Sequence, residues 1–128
     1  MADPVVHFEM PADDRKRMRD FYSKVFGWQA KQLGPEMGDF VTVETTESEN
    51  GTPRKPGTIN GGFYQRTGDA AQTTTVTIQV DDIAAYRDKI VEAGGKISGD
   101  IMDMPGIGRF MSFFDTEGNR VNLIQPAR

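Results

Sequence analysis

Hydrophobic and polar side chains alternate along Val5-Val6-His7-Phe8-Glu9-Met10, a period of two that predicts a strand over residues 4–10. Val6, Phe8 and Met10 then share one face, and Val5, His7 and Glu9 the other. From residue 13 the period lengthens. Asp13 or Asp14 is placed to cap a helix in which Met18, Phe21, Tyr22 and Val25 recur at helical spacing until Gly27 ends it. That stripe is expected to cover the Val6/Phe8 face, which leaves His7 and Glu9 on the open one. Strands are predicted near 28–33, 39–45 and 59–65, separated by a polar stretch from Thr45 to Gly57 that reads as an exposed, mobile loop. Gly61-Gly62 within the last strand marks a bulge or a close backbone approach.

The same pattern then returns. A threonine-rich strand at 73–80 leads to Asp81 or Asp82 as a cap and to a helix burying Ile83, Tyr86, Ile90 and Val91, stopped at Gly94-Gly95. Strands follow near 96–103, 107–114 and 119–125, the last two joined by the turn Asp115-Thr116-Glu117-Gly118-Asn119. Self-similarity over about 65 to 70 residues implies two βαβββ modules, about 1–66 and 72–128, inside one α+β domain. Phe8, Phe21, Tyr22, Ile78, Tyr86 and Ile90 are the expected core between helices and sheet. Gly94-Gly95 and Gly106-Ile107-Gly108 read as cap and turn glycines, because no doubly wound strand and helix pattern surrounds them.

Composition narrows the function classes. The 128 residues can bury a core without staples, and the net charge of -4 argues against a nucleic-acid surface. The basic run Arg15-Lys16-Arg17 falls on a solvated helix face. The absence of cysteine excludes thiol nucleophiles and thiolate metal sites, and suits a reducing cytoplasm. The opening Met-Ala-Asp-Pro has no secretory character, and no apolar run is long enough for a membrane span. A soluble cytoplasmic protein is expected.

Several strings carry a family resemblance: His7-Phe8-Glu9, then Phe21-Tyr22-Ser23-Lys24-Val25-Phe26-Gly27-Trp28, Val80-Asp81-Asp82, Gly94-Gly95-Lys96, Pro105-Gly106-Ile107-Gly108 and Asp115-Thr116-Glu117-Gly118-Asn119. In this order they resemble the vicinal oxygen chelate superfamily, which includes glyoxalase I, bleomycin-resistance proteins and extradiol dioxygenases. The Phe-Tyr-x-x-Val-Phe-Gly-Trp string is similar to the branch labelled as enzymes related to lactoylglutathione lyase. The resemblance implies a curved, cup-shaped mixed sheet with helices on its outer face, commonly completed in a homodimer. It also implies a divalent metal in the cup, held by ligands from four strand positions.

Carried over residue by residue, that metal site is depleted. His7 matches the first histidine ligand, but Thr75 and Asn122 stand at two of the other positions, and the strand at Ile59–Tyr64 offers neither carboxylate nor imidazole. Hydroxyl and amide groups are poor ligands for zinc, nickel or iron, and a catalytic site needs about three protein ligands. No cofactor is therefore expected, a site rebuilt from Glu9 or Glu44 being the alternative. His7 and Glu9 are the candidate catalytic pair, a base and its orienter. Thr75, Thr77, Gln79, Asn122, Trp28, Phe110 and Phe113 are the candidate ligand contacts, with Met102 and Met104 at the mouth. The leading reading is a glyoxalase-related protein that binds a small molecule, with a metal-independent reaction at His7. The alternatives are a bleomycin-resistance-like protein that sequesters a cationic ligand, a metal-dependent lyase or isomerase, and an interaction protein with a vestigial cup.

Overall fold

The computed structural model describes residues 2–69 and 72–127. The chain divides into two compact units: one spans His7–Thr74, and the other is formed by Thr75 onward together with the residues before His7. Each contains one copy of the repeat.

In the first module, β1 (Val5–Ala12) leads to α1 (Arg15–Phe26), β2 (Gln29–Gln32), β3 (Val41–Glu44), a hairpin of β4 (Ser48–Glu49) and β5 (Thr52–Pro53), and β6 (Asn60–Gln65). The strands lie in the order β2-β3-β6-β1. Pairing is antiparallel except between β6 and β1, which run parallel. Asp14 caps α1 by accepting the Arg17 backbone N–H at 3.0 Å, and Gly27 closes it in the left-handed conformation at φ 75°.

Register decides which residues form the core. Phe63 pairs with both Met10 and Val41, so the three share a face, and Met18 and Tyr22 of α1 pack on it together with Trp28. Tyr22 and Trp28 stack with centroids 4.7 Å apart and planes 11° from parallel. The expected helix stripe is thereby corrected. Phe21 and Val25 are 56% and 55% exposed, because the contact with the sheet is centred on Met18 and Tyr22 and turns its neighbours outward.

Gly61 and Gly62 mark a close approach, as their spacing suggests. A Cβ on Gly61 would collide with the backbone carbonyl and ring of Phe8, and one on Gly62 with the ring of Phe40. Successive strand residues point to opposite faces, so two aromatic rings lie flush on the sheet from opposite sides. The stretch expected to be a mobile loop is instead ordered around β4 and β5. Asn60 organises it by accepting from the Thr45 N–H at 2.9 Å and donating to Ser48 Oγ at 2.8 Å and the Gly51 carbonyl at 3.2 Å.

The second module repeats the plan with β7 (Thr75–Gln79), α2 (Ile83–Glu92), β8 (Lys96–Met104), β9 (Gly108–Phe114) and β10 (Arg120–Pro126). Its strand order is β7-β10-β9-β8, again with only the first and last strands parallel. Asp82 caps α2 through the Ala85 N–H at 3.2 Å. Val80, Ile83, Met111 and Leu123 form the buried centre, with Ile78, Tyr86, Ile90 and Phe113 against it. Val91, expected inside, is 56% exposed.

The residues before His7 attach to this second module, although the sequence pattern groups them with the first. Pro4 accepts from the Gln79 N–H at 2.9 Å, and the Tyr86 hydroxyl donates to Asp3 Oδ2 at 2.6 Å. Among the described residues, no helix is long and apolar enough to cross a membrane.

Candidate functional site

In the first module, β1 delivers His7 and Glu9 to the face opposite Phe8 and Met10, as alternation requires. Across the ladder His7 pairs with Asn60 and Glu9 with Gly62. Asn60 holds the β4–β5 hairpin, so this segment is anchored at the residue beside His7. His7 is partly buried, and that burial lowers its pKa from the ordinary value of 6.5 because a charged imidazolium loses hydration there. At neutral pH it is an uncharged ring able to accept a proton.

The sign of this shift makes a prediction. The unfolded chain binds the proton more readily than the folded one, so the contribution of His7 to stability is complete above its ordinary pKa. It is lost as pH falls through that value toward the depressed one. His7→Gln should therefore flatten the fall in melting temperature between about pH 8 and pH 5 relative to the parent. Equal slopes for the two proteins would show that the imidazole titrates as it does in the unfolded chain.

The second module holds a buried polar network. Asn122 on β10 pairs with Thr77 on β7 and with Ser112 on β9, and all three point away from the core residues Leu123, Ile78 and Met111. Its amide donates to Thr75 Oγ1 at 2.8 Å and Thr77 Oγ1 at 3.4 Å, while its carbonyl oxygen accepts from Ser112 Oγ at 2.8 Å. Thr75, Thr77, Ser112 and Asn122 are all buried. Ser112 is the member that sequence reasoning missed, although it stands two residues from Phe110 and so shares that candidate's face.

The remaining candidates separate. Gln79 and Phe110 lie in register with Ile124, on the face of the Asn122 network, with Gln79 exposed. Phe113 points to the other face and packs with the core under α2, since an odd offset from Phe110 reverses its direction. Trp28 is bound up in the aromatic stack of the first module, where it also lines a cavity of about 420 Å³ with Phe8, Met10, Thr45, Thr58, Ile59 and Thr74. Met104 lines a second cavity, of about 410 Å³, whereas Met102 is an exposed side chain. Neither cavity is lined by His7 or Glu9.

The donor set does not fit a divalent transition metal. Among the described residues, no three His, Cys, Asp or Glu side chains gather into a group that could hold a metal ion, so His7, Glu9 and Glu44 do not rebuild one. Asn122 spends its amide and carbonyl on Thr75, Thr77 and Ser112, and the Thr75 oxygen is taken up in accepting from Asn122.

Residues 5–123 match the family model of the Glyoxalase/Bleomycin resistance protein/Dioxygenase superfamily. A "Glyoxylase-like domain-containing protein" of Didymella fabae is 32% identical over 115 residues, covering 87% of this chain and 84% of that protein. The fold is shared with a hypothetical protein of Bacillus halodurans at a TM-score of 0.72, 10% identity and coverage of 100% and 97% of the two chains. It is also shared with methylmalonyl-CoA epimerase of Mycobacterium tuberculosis, at a TM-score of 0.68, 12% identity and coverage of 97% and 88%.

Proposed function

Since the chain belongs to the glyoxalase/bleomycin resistance/dioxygenase superfamily, we propose that it is a cytoplasmic small-molecule-binding protein of the glyoxalase-related branch that works without a resident metal. The observation that carries this reading is the buried network of Thr75, Thr77, Ser112 and Asn122. Polar groups buried on the face away from the core hydrogen-bond one another where the family resemblance expects ions to be bound. Any reaction falls to His7, a neutral base, with Glu9 two residues away on the same strand face. A ligand-sequestering protein would share the binding face and leave His7 without a chemical task.

Native mass spectrometry with elemental analysis of the purified protein tests the proposal. A retained small molecule without stoichiometric metal supports it, as does a melting temperature unmoved by chelator, since a group that does not bind the native state adds no linkage stabilisation. Stoichiometric metal overturns it. Once a ligand is in hand, His7→Ala should abolish turnover while preserving binding if the protein is an enzyme. A sequestering protein should bind with unit stoichiometry and form no product.

The homodimer belongs to the same proposal. Phe21, Val25 and Phe26 leave an apolar stripe on α1, exposed by 56%, 55% and 61%, of the kind that a self-complementary interface covers. Sedimentation should give twice the 14.2 kDa chain mass, and Phe21→Glu should shift it to the monomer with little loss of fold. A parent protein that sediments as a monomer at micromolar concentration would refute the pairing.

A further inference from the structure

Arg120 opens β10 two residues before Asn122, so it lies on the face that carries the Asn122 network. Its Nε is buried without a hydrogen-bond partner among the described residues. The guanidinium also forms none of the ion pairs of the described residues, which join Arg19 to Asp20, Arg54 to Glu47 and Glu49, Arg66 to Asp13 and Arg109 to Asp103. A chain with 19 acidic residues against 15 basic ones does not lack partners for an arginine. Of the two acids nearest in the sequence, Glu117 accepts from the Thr116 hydroxyl at 3.1 Å, and Asp115 is committed to its own turn. Asp115 accepts the backbone N–H groups of Asn119 and Glu117, each at 2.9 Å, and the Asn119 side chain at 3.1 Å, which holds its pKa below the ordinary value.

Two further features define the surroundings. Extending the parallel register of Asn122 with Thr77 back by two residues brings Arg120 level with Thr75. The Thr75 oxygen already accepts the Asn122 amide, which leaves its hydroxyl proton for another acceptor. On the other side Arg120 pairs with Phe114, a partly buried ring on the same face. Arg120, Thr75 and Phe114 are thus register neighbours at one end of the sheet face. The two polar groups are donors, and a buried donor without an acceptor costs stability unless a ligand supplies one.

We infer that Arg120, with Thr75 beside it, is the anchor for a carboxylate on the small molecule this protein binds. The planar fork of arginine matches a carboxylate bidentately, and the ring of Phe114 favours a ligand whose carboxylate is joined to an apolar body. The inference rests on the reading of the chain as a small-molecule binder and names the class of its ligand. It also excludes a cationic ligand at this face, since a positive group would meet an unneutralised guanidinium.

The Arg120 Nε–H resonance reads the site directly in a ¹⁵N-labelled protein. Sodium benzoate should shift that resonance saturably, while benzamide and benzylamine, of similar shape but neutral and cationic, should not. Arg120→Gln should abolish benzoate binding, and Arg120→Lys, which keeps the charge and loses the fork, should weaken it about tenfold or more. The wild-type resonance decides the matter even if a variant fails to fold. An unmoved Nε–H, equal binding of benzamide, or a response to inorganic phosphate and not to benzoate would each overturn the assignment. If benzoate perturbs other residues but not Arg120, the anchor fails and the small-molecule reading stands. If no probe moves any resonance and the purified protein retains no ligand, both fall.

Discussion

Phe63→Ala is expected to destabilise the protein by about 3 to 5 kcal/mol, the range for emptying a fully buried aromatic site. Phe63 has 0% exposure, and its ring lies 5.7 Å from Tyr22 by centroid, among Val41, Val43 and Met10. The site cannot collapse easily. Its floor is sheet backbone, and α1 is held over it by capping at both ends. Thermal unfolding should show a midpoint lowered by ~10 °C or more, given the usual entropy of unfolding for a domain of this size. Ser23→Ala provides the internal control, because an exposed side chain on the same helix, outside the apolar stripe proposed for the dimer, should change stability little. Similar losses in the two variants would mean that the register of α1 on the sheet is wrong.

Asn122→Leu is expected to cost about 2 to 5 kcal/mol, although leucine has a similar volume and better transfer energy. The side chain of Asn122 is the common partner of Thr75, Thr77 and Ser112, so its removal takes a hydrogen bond from each of three buried hydroxyls at once. Each buried hydroxyl bond lost without replacement costs about 1 to 3 kcal/mol, less whatever a new rotamer or an entering water recovers. The triple change Thr75→Val with Thr77→Val and Ser112→Ala, made on Asn122→Leu, should restore most of the loss, since an apolar patch has nothing to satisfy. Denaturant titration of the two variants measures the difference. A single variant as stable as the parent would show that the network contributes nothing to the fold.

Much of the architecture was legible in the sequence. Helix caps, stop glycines and strand alternation act within a few residues, so the two copies of the βαβββ pattern could be read without knowing what packs on what. The choice between adjacent aspartates was the first point at which locality ran out. Asp14 and Asp82 are the caps, each extended in backbone and accepting a first-turn N–H, from Arg17 and Ala85 respectively. Alternation was also enough to place His7 and Glu9 opposite Phe8, and Thr75, Thr77 and Asn122 on a common side of their strands.

What the sequence by itself determined was therefore the class, the repeat, the order of the elements and the depletion of metal ligands at the family's positions. Tertiary structure decided the rest, because burial and pairing depend on residues far apart in the chain. Phe21 and Val91 fit a helical stripe but lie outside the arc that touches a sheet, and the stripe is wider than the contact. Phe113 is as aromatic as Phe110, yet one packs under α2 and the other faces away from it, a difference set by the register of β9 on β10. Asn60 turned a polar loop into a tethered hairpin through bonds to residues 9 to 15 positions away. The buried Nε of Arg120, without an acceptor among the described residues, has no sequence signal, because an unmet hydrogen bond is a property of what surrounds a group rather than of the group.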